Sequence, residues 1–200
     1  MKNTLLALSL MLGLSLLLTG CGSAPTAEIN AAKTAIKSSQ TDDVKTYAPE
    51  SMKAAEDELN KALAEVQTQD GKFALSRDYK QASALLKSAQ NLAEKAKGDA
   101  QVAKIKAKSD AEATIAALPQ MIDEAKKALA KAPRGKDTKA DLEAMQNDLK
   151  VAEESLAEAN AAMSQAKYGD ALAKAESAKS KASAIIDQVR KAQGKAKGRR

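Results

Sequence analysis

Apolar residues recur three and four positions apart along most of the chain, and this spacing predicts long amphipathic α-helices. The first long series reads Met52, Ala55, Leu59, Ala62, Val66, Gln69 and Phe73. Its alternating steps are those of a coiled-coil seam. A second series runs from Tyr79 through Ala82, Leu86, Ala89, Ala93, Ala96, Ala100, Ala103 and Ala107. Pro49 suits the first position of the first helix, because its missing N–H would have no intrahelical partner there, and Glu50 adds a favourable charge in the first turn. Asp78 is a candidate N-cap for the second helix, with Gln81 three residues later. Upstream, Ile29, Ala32 and Ile36 mark a shorter N-terminal helix.

The same arrangement recurs near the other end of the chain. Leu142, Met145, Leu149, Ala152, Leu156, Ala159 and Met163 are followed by Tyr168, Ala171, Ala175, Ala178, Ala182, Ile185, Val189 and Ala192. Positions from Met52 to Phe73 map onto Leu142 to Met163 by adding 90, and those from Tyr79 to Ala103 map onto Tyr168 to Ala192 by adding 89. A repeat that keeps phase through two arms reads as an internal duplication of a helical hairpin. Between the two copies, Ile115, Leu118, Ile122, Ala125, Leu129 and Ala132 continue the spacing, with Pro119 off the stripe. A proline inside a helix costs about 3 kcal/mol, which predicts a kink or a fresh start there. Pro133 and Gly135 stop the helix, and Asp137 or Thr138 can cap the next one.

The expected fold is therefore all-α, built from elongated antiparallel helical hairpins with coiled-coil-like seams. Residues 1–20 form a leader and 21–26 a tether. Residues 27–118 hold the first hairpin region, 119–138 a connecting helix and loop, 139–193 the second hairpin, and 194–200 a basic tail. Alanine dominates the seams and supplies 44 of 200 residues, while aromatic residues make up only 2%. Small side chains let helix axes approach closely, yet each buried methyl contributes only about 0.8 kcal/mol. Stability must then be spread over many alanines, helix propensity and pairs such as Asp57–Lys61 and Asp123–Lys127. The larger seam residues Leu59, Phe73, Leu149 and Leu156 are expected to be the most sensitive.

The leader carries its own chemistry. Lys2 supplies a positive charge, and Leu5 to Leu18 is an almost unbroken run of Leu, Ala, Met, Ser and Gly. A spanning helix needs about 20 apolar residues; this run has the length of a signal-peptide core and ends in small residues. Leu18-Thr19-Gly20-Cys21 resembles the bacterial lipobox, which implies alkylation of the Cys21 thiol with a diacylglyceryl group and cleavage just before it. Cys21 is the only cysteine in the chain, so no intrachain disulfide is possible. The covalent lipid is the only non-protein group expected, and the membrane the first partner. Gly22 rather than Asp follows the cysteine, which under the sorting rule of Gram-negative lipoproteins implies an outer-membrane address facing the periplasm.

The run "AEINAAKTAI…KTYAPESMKAAEDELNKAL…SRDYKQASALLKSAQNLAEKA" resembles the family of domain of unknown function 4398, found in lipoproteins of the bacterial envelope. Tyr47-Ala48-Pro49 matches the family's Tyr-Ala-Pro before an Ala/Leu-rich helix. At the family's Gly-Asp-Tyr turn this chain carries Arg77-Asp78-Tyr79. The resemblance covers Ala27 to about Lys97 and implies a location and a helical fold, with no reaction and no named partner.

Enzymatic function is not expected. Histidine is absent, and with Cys21 acylated neither a Cys–His nor a Ser–His–Asp arrangement can be built. Counting alone leaves a Ser–Lys pair open. Asp42–Asp43 and Glu153–Glu154 are sequence neighbours, which on a helix point in different directions and suit solvated faces. No zinc-ligand spacing and no glycine-rich phosphate loop occurs. The export signal and the scarcity of aromatic residues argue against nucleic acid, despite a formal charge of +6. That surplus gathers at the C-terminus, where Arg190, Lys191, Lys195, Lys197, Arg199 and Arg200 have no acid among them. Two functions remain: a structural or adaptor role in the cell envelope, and an electrostatic tether to cell wall or lipopolysaccharide through those cations. A basic end that complements the helix dipole is the simpler explanation of the same residues. The pattern names no partner protein and fixes no oligomeric state.

Overall fold

The structure is a computed structural model and describes residues 23–135 and 138–197. The fold is all-α. Among the described residues the helices are α1 (Thr26–Ser39), α2 (Asp42–Tyr47), α3 (Pro49–Asp70), α4 (Lys80–Ala130), α5 (Lys139–Ser164) and α6 (Tyr168–Lys197), with a 3₁₀ turn at Ala74–Ser76. The chain forms two compact units that divide between Gln101 and Val102. This division lies away from the expected boundary at residue 118. Pro119 does not restart the helix but sits inside α4 on its exposed side. Leu118 and Ile122, on either side of it, are buried in the second core, and burial of side chains this large offsets the local cost of the proline. Residues 119–130, expected to be a connector, are therefore part of that core.

In the first unit, Met52, Ala55, Leu59 and Ala62 of α3 bury against Leu86, Ala89, Ala93, Ala96 and Ala100 of α4, with Ala32 and Ile36 of α1 in the same cluster. Helix α2 is not legible from the spacing. It is short and holds a single buried apolar residue, Val44, with the Thr41 hydroxyl accepting the Val44 N–H at 3.2 Å as its cap. Pro49 opens α3 as expected. Phe73 does not belong to the seam. Helix α3 ends at Asp70, which leaves Phe73 in the following loop with 75% of its surface exposed.

In the second unit, Leu118, Ile122, Ala125 and Leu129 of α4 pack with Met145, Ala152 and Ala159 of α5 and with Ala175, Ala178, Ala182, Ile185 and Val189 of α6. Leu149 and Leu156 are only half-buried. The heaviest fully buried side chains are instead Leu86, Leu118 and Ile185. The two registers correspond in burial: Ala82, Leu86, Ala89, Ala93, Ala96 and Ala100 match Ala171, Ala175, Ala178, Ala182, Ile185 and Val189, all buried. The connections differ more than the numbering suggests, because α3 yields to a loop from Gly71 to Tyr79 whereas α5 continues to Ser164.

The turn after α5 is a Schellman motif: the Lys167 N–H reaches the Ala162 carbonyl at 3.0 Å and the Ala166 N–H reaches that of Met163 at 3.0 Å. Ala166 adopts φ 57°, the left-handed region that disfavours a Cβ. At the start of α5, the Thr138 hydroxyl does not cap the helix; it accepts the Gly135 N–H at 2.8 Å and holds the loop. Asp137 lies outside the described residues. Among the expected ion pairs, Asp123–Lys127 forms at 2.6 Å. Asp57–Lys61 does not: Asp57 pairs one turn back with Lys53 at 2.8 Å, and Lys61 takes Glu58 at 3.1 Å.

Leu86→Ala is expected to cost about 2–5 kcal/mol by leaving a cavity in the seam. Phe73→Ala should stay within about 0.5 kcal/mol. Urea unfolding followed by circular dichroism compares the two, and a large loss for Phe73→Ala would restore that residue to the core. Ala166→Gly is expected to raise stability by about 1 kcal/mol in the same measurement, because glycine occupies the left-handed region without a Cβ clash.

Candidate functional site

Cys21 and the preceding Leu18, Thr19 and Gly20 lie outside the described residues, as do Arg199 and Arg200. What the structure places is the segment immediately after Cys21. Ser23 is exposed, Ala24 and Pro25 are half-buried, and α1 begins at Thr26. Ala24 and Ile29 pack against a small cluster formed by Val66, Tyr79 and Ala82. Ser23, Ala24 and Pro25 also line a cleft of about 630 Å³ whose other wall includes Leu75, Arg77 and Tyr79. The N-terminal segment is thus seated against the loop that joins α3 to α4.

That loop is tied down by polar side chains. The Tyr79 hydroxyl donates a short hydrogen bond to Asp70. The Arg77 guanidinium donates to the Asp70 carbonyl at 2.8 Å and the Lys72 carbonyl at 3.0 Å, so a cation satisfies oxygens at the C-terminal end of α3, where the helix dipole favours it. Arg77 thus has a structural role in this turn. Buried Gln69 accepts the Asp78 N–H at 3.1 Å through its side-chain oxygen and donates to Glu65 at 2.6 Å. Asp78, the expected N-cap, accepts the Lys80 N–H at 3.0 Å but stands one position before the cap, since α4 starts at Lys80. From this braced loop Phe73 and Leu75 project, 75% and 90% exposed. The three-four spacing hides this, because it carries past the end of α3.

Tyr47, Ala48 and Pro49 form the joint between α2 and α3. Ala48 is buried, and its backbone donates to the Val44 carbonyl at 2.9 Å and accepts from Met52 at 3.1 Å. Half-buried Tyr47 packs on the first core. The motif therefore has a structural role here. At the C-terminus, Lys191 and Lys195 are exposed. Arg190 pairs with Asp187 one turn earlier at 3.4 Å, so the acid excluded from the tail itself is supplied from the preceding turn. Lys197 closes α6.

The remaining chemistry is dispersed. Glu153 pairs with Lys126 at 2.5 Å and Asp42 with Lys45 at 3.7 Å. Ser164 and Lys167 stand at Ser-X-X-Lys spacing, a match that the sequence reading misses. Both are exposed around the α5–α6 turn, and the Ser164 hydroxyl donates to the Ala161 carbonyl at 2.8 Å. Among the described residues no group of three or more Cys, Asp or Glu is placed to hold a metal ion, and no helix is long and apolar enough to cross a membrane. Compared with protein-family models, curated proteins and solved structures, the chain matches none.

The Asp70 carboxylate hydrogen-bonded to the Tyr79 hydroxyl holds the phenol proton above the ordinary tyrosine range. Its contribution to stability is then fully present below about pH 10, the unfolded value, and is lost as pH rises through the higher folded value. A phenolate absorbance titration is expected to show a late step that Tyr79→Phe removes. An unchanged titration in that variant would show that Tyr79 does not feel Asp70.

Proposed function

We propose that this chain is a lipid-anchored lipoprotein of the bacterial cell envelope, in the outer membrane and facing the periplasm, whose helical units serve a structural or adaptor role and catalyse no reaction. The observation that carries the proposal is the apolar run Leu5 to Leu18 closed by Leu18-Thr19-Gly20-Cys21. Its support is positional: among the described residues the first helix begins at Thr26, five positions after Cys21 in the sequence. Acyl chains contribute about 0.8 kcal/mol per buried CH₂, and more than one chain is needed for stable anchoring. Lipoprotein maturation supplies that. The resemblance to the family of domain of unknown function 4398 points the same way.

The adaptor role is favoured over catalysis because many of the charged side chains described above pair with one another along solvated helix faces, and the Arg77 guanidinium in the wall of the cleft is engaged by backbone carbonyls of its own loop. Long helical faces bind partners by stripe and groove. The electrostatic tether through Arg190, Lys191, Lys195, Lys197, Arg199 and Arg200 stands second. Exposed Lys191 and Lys195 favour it, while the Arg190–Asp187 pair weakens it.

Cys21→Ala is expected to abolish both membrane fractionation and cleavage of the leader in a Gram-negative host. Immunoblotting of membrane and soluble fractions reads both effects at once. A variant that stays processed and membrane-bound would overturn the anchor.

A further inference from the structure

We infer that the Phe73–Leu75 loop is a second membrane contact, which lies in the bilayer interface beside the lipidated N-terminus. The inference rests on the anchor at Cys21 and deepens it by fixing which face of the first unit meets the lipid. Phe73 is the only phenylalanine in the chain, and it stands with Leu75 on a 3₁₀ turn that exposes both. Their exposure does not come from a slack loop. Arg77 clamps the Asp70 and Lys72 carbonyls, Ser76 donates its N–H to the Phe73 carbonyl at 2.8 Å, and buried Gln69 holds Asp78. Two large apolar side chains held out on one braced loop form an apolar patch of the kind that marks an interaction surface.

The covering partner is identified by where the chain came from. Ala24 packs on the Val66–Tyr79–Ala82 cluster, and Ser23 lines the same cleft as Leu75. Cys21 precedes Ser23 by two residues, and an extended chain spans at most about 3.6 Å per residue, so the Cys21 backbone lies within roughly 7 Å of the Ser23 backbone, with the acylated sulfur at most a short side chain farther. That is comparable with the headgroup layer, which adds roughly 5–8 Å to each side of the hydrocarbon core. An anchor in the bilayer therefore brings the loop to the depth at which interfacial segments bury their apolar side chains, about 5–10 Å into the headgroup boundary. Charge does not oppose this. Lys72, Arg77 and Lys80 around the loop are matched by Glu28, Asp70 and Asp78, which leaves the apolar pair as the driving element.

The chain contains no tryptophan, so a single one reports its own surroundings. Phe73→Trp is made in the full-length chain, matured in a Gram-negative host and reconstituted in phosphatidylethanolamine–phosphatidylglycerol vesicles with and without brominated acyl chains. Lys45→Trp, on α2 at the opposite end of the first unit, serves as the comparison. The expected result is blue-shifted indole emission from the Phe73→Trp variant that brominated lipid quenches, with emission from the Lys45→Trp variant neither shifted nor quenched. Water-exposed emission from Phe73→Trp would overturn the contact. Blue-shifted but unquenched emission would mean that protein, a second copy included, covers the loop, and would overturn it too. Mass spectrometry of the N-terminal peptide from the same sample reads the anchor separately. If the acyl mass is absent, the anchor fails and the contact falls with it; if it is present and the indole at position 73 is in water, the contact alone fails.

Discussion

Close approach of helices through alanine is the constraint on which both units depend. Ala55 and Ala62 on α3 face Ala89, Ala93 and Ala96 on α4, all fully buried; Ala152 and Ala159 on α5 and Ala175, Ala178 and Ala182 on α6 do the same. A methyl group excludes little water, so no single contact is strong. What the alanines provide is proximity, since short side chains place the axes at the low end of the usual 8–10 Å range. That geometry tolerates no bulk at the seam, and it demands that many small residues stay in register at once. The few larger residues, Leu86, Leu118 and Ile185 among them, then carry a disproportionate share of the apolar burial.

Register in such a seam has to be set at the ends and along the edges. At the ends, Arg77 and Gln69 fasten the loop after α3, while the Schellman motif at Ala166 turns α5 sharply into α6. Along the edges, Ser51 donates to Asp99 at 2.6 Å between α3 and α4, and Lys181 and Lys174 reach Asp148 and Glu158 at 2.6 Å between α6 and α5. Exposed ion pairs contribute little stability, typically about 0–1 kcal/mol. Their consequence here is positional, because a helix shifted by one turn would break several of them together. No buried side-chain nitrogen or oxygen among the described residues lacks a partner, so the buried polar residues Ser39, Gln69 and Ser155 add no hidden polar cost.

The three-four spacing makes the seam legible because alanine and leucine at those positions have one physical use in an amphipathic helix. Its failures are equally physical. Phe73 keeps the spacing after α3 has stopped, and periodicity carries no record of where a helix ends. Helix α2 buries only Val44 fully, with Tyr47 half-buried at its end, too little to make a pattern. The local cost of Pro119 is visible in sequence, whereas the burial of Leu118 and Ile122 that offsets it is not. Lys61 has Asp57 and Glu58 within one turn, and spacing cannot choose between them. The chemistry proposed for Cys21 rests on its sequence neighbours alone, whereas the exposed loop has no signal in the sequence, since it becomes a candidate site only when Ala24 is seen to pack beside Tyr79.

The shortness of the segment after Cys21 changes what an anchor would do. A lipoprotein with a long flexible linker leaves its folded part free to tumble, and then the face it turns to the membrane carries no meaning. Here Ala24 already packs on the fold, so Gly22 and Ser23 are the only residues between it and Cys21. Two residues could not decouple the first unit from a lipid on Cys21. An anchored unit is therefore oriented as well as retained, with the loop end toward the bilayer and the α2 end of the same unit away from it. A partner recognised by a unit oriented in this way would then be met on the sides of α1, α3 and α4, which such an anchor would leave open to solvent.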